Sequence, residues 1–191
     1  FATKRKDKGH KGQVTCVDKA NVFTSMAFFR QIFDEVGAHY PDISKAYNYV
    51  DAAALDLIRN PWTADVMVME NMFGDILSDL AGGLVGGMGM AACGEIGDQT
   101  GLFQPAHGSA PDIMGQDKAN PLAAILSAGL MLDYLAEKLD QPAYGDAAMI
   151  LDAAIEAGFA LNRLRPMEFG GDMGTKAVTL ALSSLMDGKL K

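Results

Sequence analysis

The chain has 191 residues, of which 49% are hydrophobic and 21% charged, so it can bury a substantial core and is not intrinsically disordered. Its formal net charge of −8 argues against nucleic acid or an anionic membrane surface as the main partner. No apolar run is long enough for a membrane span, and Cys16 and Cys93 form no CxxC motif. With no signal peptide in the sequence, we expect a reducing, cytoplasmic setting.

Five of the 16 Lys and Arg residues lie among the first 11 residues. We interpret them as a solvated helix end or a lead-in to a strand rather than as a basic arm. Because the chain begins at Phe1 and not at Met, we expect it to be part of a longer protein. Apolar periodicity then predicts three strands, each followed by a helix: strands 13–17, 46–50 and 65–69, and helices 23–38, 51–58 and 74–84. This alternation indicates an α/β fold with a largely parallel sheet.

A glycine-rich stretch over 82–89 follows the third helix, and we place a domain boundary near residue 85. Residues 87–92 fit the dinucleotide-binding pattern G-x-G-x-x-A, but that pattern requires a strand before it, and here a helix precedes it. We therefore expect a hinge or a close approach of the backbone to another segment. A strand begins near Phe103. Three more helices are predicted, the first of them capped by Asn120: 121–139, 143–161 and 175–186.

Four side chains are candidates for chemistry because they lie at or beyond the carboxyl ends of predicted strands, where open α/β sheets bind ligands. Asp75 and Asp79 are four residues apart and share one helix face. That pair suits Mg²⁺ or Mn²⁺, although two solvated acids would show the same spacing. Asp51 opens a helix and is either an N-cap or a metal ligand. Lys19 is either a surface charge or a general base.

A polar loop joins the strand near Phe103 to the next helix, and its length suggests a function. Its small residues let a ligand approach the backbone, and Asp112 suits a ribose diol and would repel a 2′-phosphate. A plain solvated loop is the alternative. The three histidines of the chain form no zinc motif, and HExxH, P-loop and G-x-S-x-G motifs are absent. The loop residues that we single out are His107, Gly108, Ser109, Ala110, Asp112 and Ile113.

Several motifs occur in a fixed order: Val17-Asp-Lys-Ala-Asn-Val22, Tyr49-Val-Asp-Ala52, Asn71-Met-Phe-Gly-Asp-Ile-Leu-Ser-Asp79, and His107-Gly-Ser-Ala-Pro-Asp-Ile113 with Ala119-Asn-Pro121. Together they resemble the β-decarboxylating dehydrogenases, the family of 3-isopropylmalate, isocitrate, homoisocitrate and tartrate dehydrogenases. The resemblance implies an isopropylmalate dehydrogenase-like two-domain α/β fold with a mixed, largely parallel sheet, distinct from the Rossmann fold. Residues 1–85 would belong to its substrate and dimerisation domain, and residues 86–191 to its cofactor domain.

The resemblance also implies a homodimer whose active sites are shared between the subunits. Asp75 and Asp79 of one subunit and Asp51 of the other would bind Mg²⁺ or Mn²⁺. Lys19, from the same subunit as that Asp51, would be the general base on the hydroxyl of a small hydroxy-acid substrate. Hydride would pass to NAD, and the metal would then polarise the new ketone while CO₂ departs.

For the cofactor, the resemblance implies that residues 107–113 and Asn120 hold the adenosine half of NAD. Asn21 would lie near the nicotinamide. The pair Asp112-Ile113 is similar to that of the NAD-using members of the family rather than the NADP-using members.

The sequence departs from the family pattern at three places. Gln104 replaces a common Glu, residues 92–95 replace a more usual turn, and Met69-Glu70 replaces small or hydroxyl residues. The part of the pattern that would clamp and read the substrate lies outside this sequence. The motifs favour 3-isopropylmalate, with isocitrate, homoisocitrate and tartrate as alternatives. A non-catalytic regulatory subunit or a scaffold is a further alternative, against which the presence of the predicted base and metal ligands speaks.

Overall fold

The computed structural model describes residues 1–188, which form seven α-helices and five β-strands. The helices are α1 (Ala2–Asp7), α2 (Thr24–Gly37), α3 (Val50–Arg59), α4 (Asn71–Leu84), α5 (Leu122–Lys138), α6 (Pro142–Ala160) and α7 (Thr175–Met186). The strands are β1 (Gln13–Asp18), β2 (Ser44–Tyr49), β3 (Val66–Val68), β4 (Ala92–Ile96) and β5 (Gly101–Pro105). The chain divides into two compact units, Phe1–Leu84 and Val85–Lys191.

The first unit is built on a three-stranded parallel sheet in the order β2-β1-β3. The central strand β1 pairs with β2 in a register that sets Cys16 opposite Tyr47 and Asp18 opposite Tyr49. Its last three residues are fully or nearly fully buried, as expected for a central parallel strand that is covered on both faces. The predicted alternation of strands and helices, and with it the α/β class, is confirmed.

The two faces of β1 have different chemistry. On one face Val17 packs in an apolar cluster with Ala53 of α3 and Leu77 of α4. On the other face Cys16 and Asp18 point towards α2, which supplies Arg30. No residue of α2 is buried, so this helix is attached to the sheet by a few polar and aromatic contacts rather than by a continuous apolar seam.

The second unit combines an antiparallel hairpin, β4 and β5, with helices α5, α6 and α7. Its apolar core is formed by residues from all three helices and the connection between the last two: Leu122, Leu151, Ala154, Ile155, Leu164, Val178 and Leu182. Residues 92–95, which depart from the family pattern and for which no strand was predicted, lie in strand β4. Pairing with β5, in which Cys93 lies opposite Gln104, overrides the weak strand propensity of their alanine and glycine.

Helix α4 begins at Asn71, three residues earlier than predicted. The cause is Glu70, whose carboxylate accepts hydrogen bonds from the backbone N–H groups of Met72 at 3.0 Å and Phe73 at 2.9 Å. These donors have no partner within a helix, so a side-chain acceptor placed before them stabilises the first turn. The Glu70 departure from the family pattern therefore has a local structural role.

The basic residues at the start of the chain bind to their own unit, as the interpretation of a helix end and a strand lead-in requires. Arg5 pairs with Asp65, and Lys11 Nζ donates to the Thr63 carbonyl at 2.8 Å. Among residues 1–188, no helix is both long and apolar enough to cross a membrane.

Candidate active site

The carboxyl ends of β1 and β2 bring two of the predicted residues together. Lys19 follows β1, and Asp51 is the second residue of α3, which begins directly after β2. Because the two strands are parallel neighbours, these positions lie at the same edge of the sheet. Lys19 Nζ and Asp51 Oδ1 form an ion pair in which the lysine side chain is 23% exposed and the aspartate side chain is 68% exposed.

The ion pair lowers the pKa of Asp51. The hydrogen bond from Lys19 is the main reason why the pKa of Asp51 lies below its ordinary value, and backbone N–H groups add to the effect. The Lys19 ammonium also lies 5.7 Å from the centre of the Tyr49 ring, within cation–π range. Asp51 is thus an exposed, ionised carboxylate beside a half-shielded amine.

A buried ion pair lies directly before Lys19. The Asp18 side chain is inaccessible to solvent and receives two hydrogen bonds from Arg30, at 2.7 and 2.8 Å. Asp18 Oδ1 also accepts from the backbone N–H of Ala20 at 2.9 Å. The Asp18 carboxylate therefore fixes the backbone on both sides of Lys19, at Asp18 itself and at Ala20, and so orients the lysine at the edge of the sheet.

Sequence reasoning missed this pair, although a signal was present. Arg30 lies three residues before Phe33 and four after Met26, on the face of α2 that apolar spacing assigned to the interior. A cation on such a face indicates a buried anion, and Asp18 is the acid at the end of the preceding strand.

The other two predicted metal ligands lie on α4. Asp75 and Asp79 are exposed, one turn apart, on the side of the helix that faces away from buried Phe73 and Leu77. Asn71 Nδ2 lies 3.4 Å from Asp75 Oδ2, and within the described part of the chain no basic side chain pairs with either acid. Both carboxylates have oxygens available for a ligand.

A single chain does not bring all three acids together. Among residues 1–188 no group of three or more His, Cys, Asp or Glu side chains is arranged to hold a metal ion. The exposed face of α4 that carries the two acids also presents Met72 and Ile76, with 58% and 59% of their surface exposed. Exposed apolar side chains next to acids are typical of a surface that another chain covers.

The polar loop after β5 has an exposed half that is rich in small residues. Gly108, Ser109 and Ala110 are exposed, and Ala110 has a φ of 44°, in the left-handed region. A short 3-10 turn over Pro111–Ile113 follows and presents Asp112 to solvent. His107 is half-buried, and its Nδ1 lies 2.9 Å from the Gly108 carbonyl.

The C-terminal half of the same loop is held by hydrogen bonds to the first residues of α7 and α5. The backbone carbonyl of Asp117 accepts from Thr175 N at 3.3 Å, and its side chain accepts from Lys176 N at 3.0 Å, so it caps α7. The predicted cap of the preceding helix is confirmed, because Asn120 Oδ1 accepts from Leu122 N at 3.1 Å. Asn120 is buried, whereas the predicted nicotinamide neighbour Asn21 is exposed in the first unit.

Gln104, which departs from the family pattern, forms a hydrogen bond within the hairpin. Its side-chain Nε2 donates to Glu95 Oε1 at 2.9 Å. A glutamate at this position would place two carboxylates beside each other, so Gln104 and Glu95 form a compatible donor and acceptor across the two strands.

The chain matches the family described as isocitrate/isopropylmalate dehydrogenase over residues 1–182. It is 50% identical over 147 residues to the 3-isopropylmalate dehydrogenase of Carboxydothermus hydrogenoformans, a match that covers 77% of this chain and 38% of that protein. It is 40% identical over 192 residues to the homoisocitrate dehydrogenase of Methanocaldococcus jannaschii, covering 100% of this chain and 53% of that one.

Among solved structures, the isocitrate dehydrogenase from Methylococcus capsulatus superimposes with a TM-score of 0.85 and 34% sequence identity. The match covers 97% of this chain and 53% of that one. The chain thus spans roughly half the length of the proteins that it resembles, or less.

Proposed function

Because the chain belongs to the isocitrate/isopropylmalate dehydrogenase family, we propose that the protein oxidatively decarboxylates a 2-hydroxy acid that carries a 3-carboxylate, with NAD as the hydride acceptor. The observation that carries the proposal is the ion pair between Lys19 and Asp51 at the carboxyl edge of the parallel sheet. The preferred substrate is 3-isopropylmalate, since a relative that is 50% identical over 147 residues is named for it. Homoisocitrate is the second candidate, because the relative of that name matches along the whole chain.

The acidic side chains fit a divalent cation. Asp51, Asp75 and Asp79 offer hard carboxylate oxygens, the ligands that Mg²⁺ and Mn²⁺ prefer. Asp75 and Asp79 are exposed and repel one another on α4, a repulsion that a cation would reverse. Asp51 is exposed, and its pKa lies below the ordinary value because of the hydrogen bond from Lys19, so the side chain is the carboxylate that a cation binds. We propose that these three residues hold Mg²⁺ or Mn²⁺.

The loop after β5 fits the adenosine half of NAD. Gly108 to Ala110 expose backbone that a ligand can approach, and Asp112 presents acceptors that suit the two hydroxyls of a ribose. Its negative charge would repel the 2′-phosphate of NADP. We propose the same loop, with His107, Ile113, Asn120 and, at the nicotinamide end, Asn21, as the NAD site.

The chain's own residues account for proton transfer and orientation. When bound, the cation would supply Lewis-acid polarisation of the substrate oxygen, and NAD would accept the hydride. Lys19, in its neutral amine form, would take the proton of the substrate hydroxyl, for which its nitrogen lies at the edge of the sheet beside Asp51. Asp18, bound to Arg30 and to Ala20 N–H, would hold the lysine backbone in place during this step.

We propose a homodimer in which each active site uses both chains. Two findings support it: Asp51 does not meet Asp75 and Asp79 within one chain, and exposed Met72 and Ile76 share the face of α4 that carries the acids. The first unit would accordingly provide dimerisation and substrate binding, and the second would provide part of the cofactor domain, with the boundary near residue 85.

Turnover by the full-length protein tests the activity. NAD reduction would be followed with Mn²⁺ or with a chelator, against isopropylmalate, homoisocitrate, isocitrate, tartrate and malate. Metal-dependent reduction with one acid supports the proposal and names the substrate. A dimer that binds NAD and Mn²⁺ but turns over none of the acids would point to a regulatory subunit.

Mixing two inactive variants tests the shared site. Lys19→Met and Asp79→Asn homodimers each lack a complete site, whereas a mixed dimer has one site in which both residues are native. Reassociated mixtures should recover about a quarter of wild-type activity if chains pair at random. Recovery near zero, with mixed dimers verified by mass spectrometry, would place the complete site within one chain.

A further inference from the structure

The Glu168 carboxylate forms hydrogen bonds that connect three segments of the second unit that are distant in sequence. Glu168 Oε1 accepts from the backbone N–H of Gly89 at 2.9 Å, and its Oε2 accepts from Asn120 Nδ2 at 2.9 Å. Gly89 ends the glycine-rich stretch, and Asn120 ends the polar loop after β5. Glu168 itself lies in a 3-10 turn over Met167–Phe169, just before the start of α7.

This contact explains two glycines of the stretch over 82–89. A Cβ atom on Gly87 or Gly89 would collide with the Glu168 carboxylate, and one on Gly89 would also lie 2.8 Å from Asn120 Cβ. Gly87 has a φ of 147°, which disfavours any other residue. The predicted close approach of the glycine-rich backbone is confirmed, and its partner is the pair formed by Glu168 and Asn120.

Asn120 has both ends of its side chain engaged. Its amide oxygen accepts from Leu122 N and its amide nitrogen donates to Glu168, so the amide has only one orientation that satisfies both partners. Because Asn120 is buried, breaking either bond would leave a polar group without a partner. The conformation of the loop at Asn120 therefore depends on a residue 48 positions away.

We propose that Glu168 is a positioning residue for NAD, which acts by fixing Asn120 and, with it, the end of the cofactor loop. The inference rests on the proposed NAD site at residues 107–113 and Asn120. Glu168 need not touch the cofactor, since its two oxygens are occupied by Gly89 and Asn120. Loss of its bond to Asn120 should weaken NAD binding and leave the edge of the sheet that carries Lys19 unaffected.

A donor–acceptor exchange tests the proposal. In Glu168→Gln, the NH₂ group of the new amide replaces one of the two acceptor oxygens. It then faces either the Asn120 NH₂ group or the Gly89 N–H, which are both donors, so one hydrogen bond is lost. In the double variant Glu168→Gln/Asn120→Asp, the glutamine amide donates to the new carboxylate, whose other oxygen still accepts from Leu122 N. The double variant also restores the total charge. Glu156→Gln, at an exposed position of α6, is the charge-matched control.

NAD binding to the full-length protein would be measured by calorimetry, with kinetics for the substrate identified above. We expect Glu168→Gln to raise Kd and KM for NAD about tenfold, as for the loss of a hydrogen bond to a charged group. The kcat at saturating NAD and the KM for the hydroxy acid should change less than about twofold. The double variant keeps both hydrogen bonds and should melt at the wild-type temperature, and Glu156→Gln should bind NAD like the wild type.

Wild-type NAD affinity in folded Glu168→Gln would overturn the role of Glu168. Unfolding of both variants would overturn it too, because Glu168 would then be a purely structural residue. A wild-type protein that binds no NAD would instead refute the proposed function, so the two failures are distinguishable.

Discussion

The guanidinium of Arg30 donates two hydrogen bonds to the Asp18 carboxylate, Nε to Oδ2 at 2.7 Å and Nη2 to Oδ1 at 2.8 Å, where Asp18 has no contact with solvent. Removing one partner of a buried pair leaves the other charge uncompensated. Arg30→Ala should therefore lower the free energy of unfolding by about 3–5 kcal/mol. The free energy of unfolding of Arg30→Lys should lie between those of Arg30→Ala and the wild type, because lysine cannot form both bonds.

Lys45→Ala is the matched control for Arg30. Its partner Asp34 lies on the same helix as Arg30, but both side chains of this pair are substantially exposed. Solvent screens an exposed ion pair, so the loss in this variant should be small. Chemical denaturation of both variants measures the difference, and equal losses would contradict the importance of burial at Asp18.

The pKa of Asp51 should rise towards its ordinary value in Lys19→Met, because the hydrogen bond from Lys19 is the main cause of its depression. A depressed carboxyl pKa stabilises the folded chain above the unfolded-state pKa, and this contribution disappears as the pH falls through the folded-state pKa. The acid limb of the stability curve should thus become shallower in this variant. Carboxyl carbon NMR titration measures the pKa directly.

Lys45→Met is the control for this titration. The pKa of Asp34 is depressed chiefly by its hydrogen bond from Lys45, so this variant should raise the pKa of Asp34 and leave that of Asp51 unchanged. If Asp51 titrated identically in the wild type and in Lys19→Met, the ion pair would not exist in solution.

Asp79→Asn should abolish Mn²⁺ binding without a loss of stability. The substitution removes the repulsion between Asp79 and Asp75, which is worth a few tenths of a kcal/mol on a helix surface. Manganese titration by electron paramagnetic resonance and thermal melting of the same full-length sample separate the two effects, with Ser78→Ala as the neighbouring control. A fall in stability above about 1 kcal/mol would assign Asp79 a structural role instead.

The two cysteines should react with iodoacetamide in a fixed order. Burial, reinforced by the charge of Asp18, raises the pKa of Cys16 to about 12, so almost no thiolate forms at mildly alkaline pH. Cys93 is only half-buried. Mass spectrometry of the native protein should find label on Cys93 alone, and Cys93→Ser should remain unlabelled until it is unfolded. Label on Cys16 in folded Cys93→Ser would show that β1 opens readily.

Two glycine-to-alanine substitutions should have opposite effects on stability. Gly83 lies in α4 with no atom near the position of a Cβ, so Gly83→Ala should stabilise the chain by about 1 kcal/mol through helix propensity. Gly89→Ala would push Glu168 and Asn120 apart and should destabilise it by about 1–3 kcal/mol. Urea unfolding measures both. Similar values for the two variants would contradict the close contact at Gly89.

Local periodicity was sufficient to predict the three strands of the first unit and the helix after each of them, but not the short helix α1. Apolar spacing located β1 and α2 within a residue or two of their observed bounds, because their apolar residues recur at regular intervals and glycine or proline marks the end of the helix. Strand β4 was missed, since its alanine, cysteine and glycine carry no strand signal and its conformation depends on β5. The early start of α4 was missed because its cap is a glutamate side chain rather than a residue from the usual set.

The candidate site was predictable only where its residues are close in sequence or follow strand ends. Lys19 and Asp51 were proposed from their places after β1 and β2, and the structure brings them together. The supporting contacts of Glu168 join residues 48 and 79 positions apart, and no local pattern encodes such pairs. The meeting of Asp51 with Asp75 and Asp79 stays a prediction, because residues 1–188 of one chain do not bring the three acids together.

The last three residues of strand β1 alternate between a polar face and an apolar face of the sheet. This alternation limits insertions and deletions within the strand. Deleting one codon within Gln13–Asp18 would turn the Asp18 carboxylate into the apolar cluster of Ala53 and Leu77, and would turn Val17 towards Arg30. Lys19 would lose its place at the sheet edge in the same event. Homologous sequences should therefore show no insertions or deletions in this strand, whereas the turn between β4 and β5, at the exposed residues 97–100, should tolerate them.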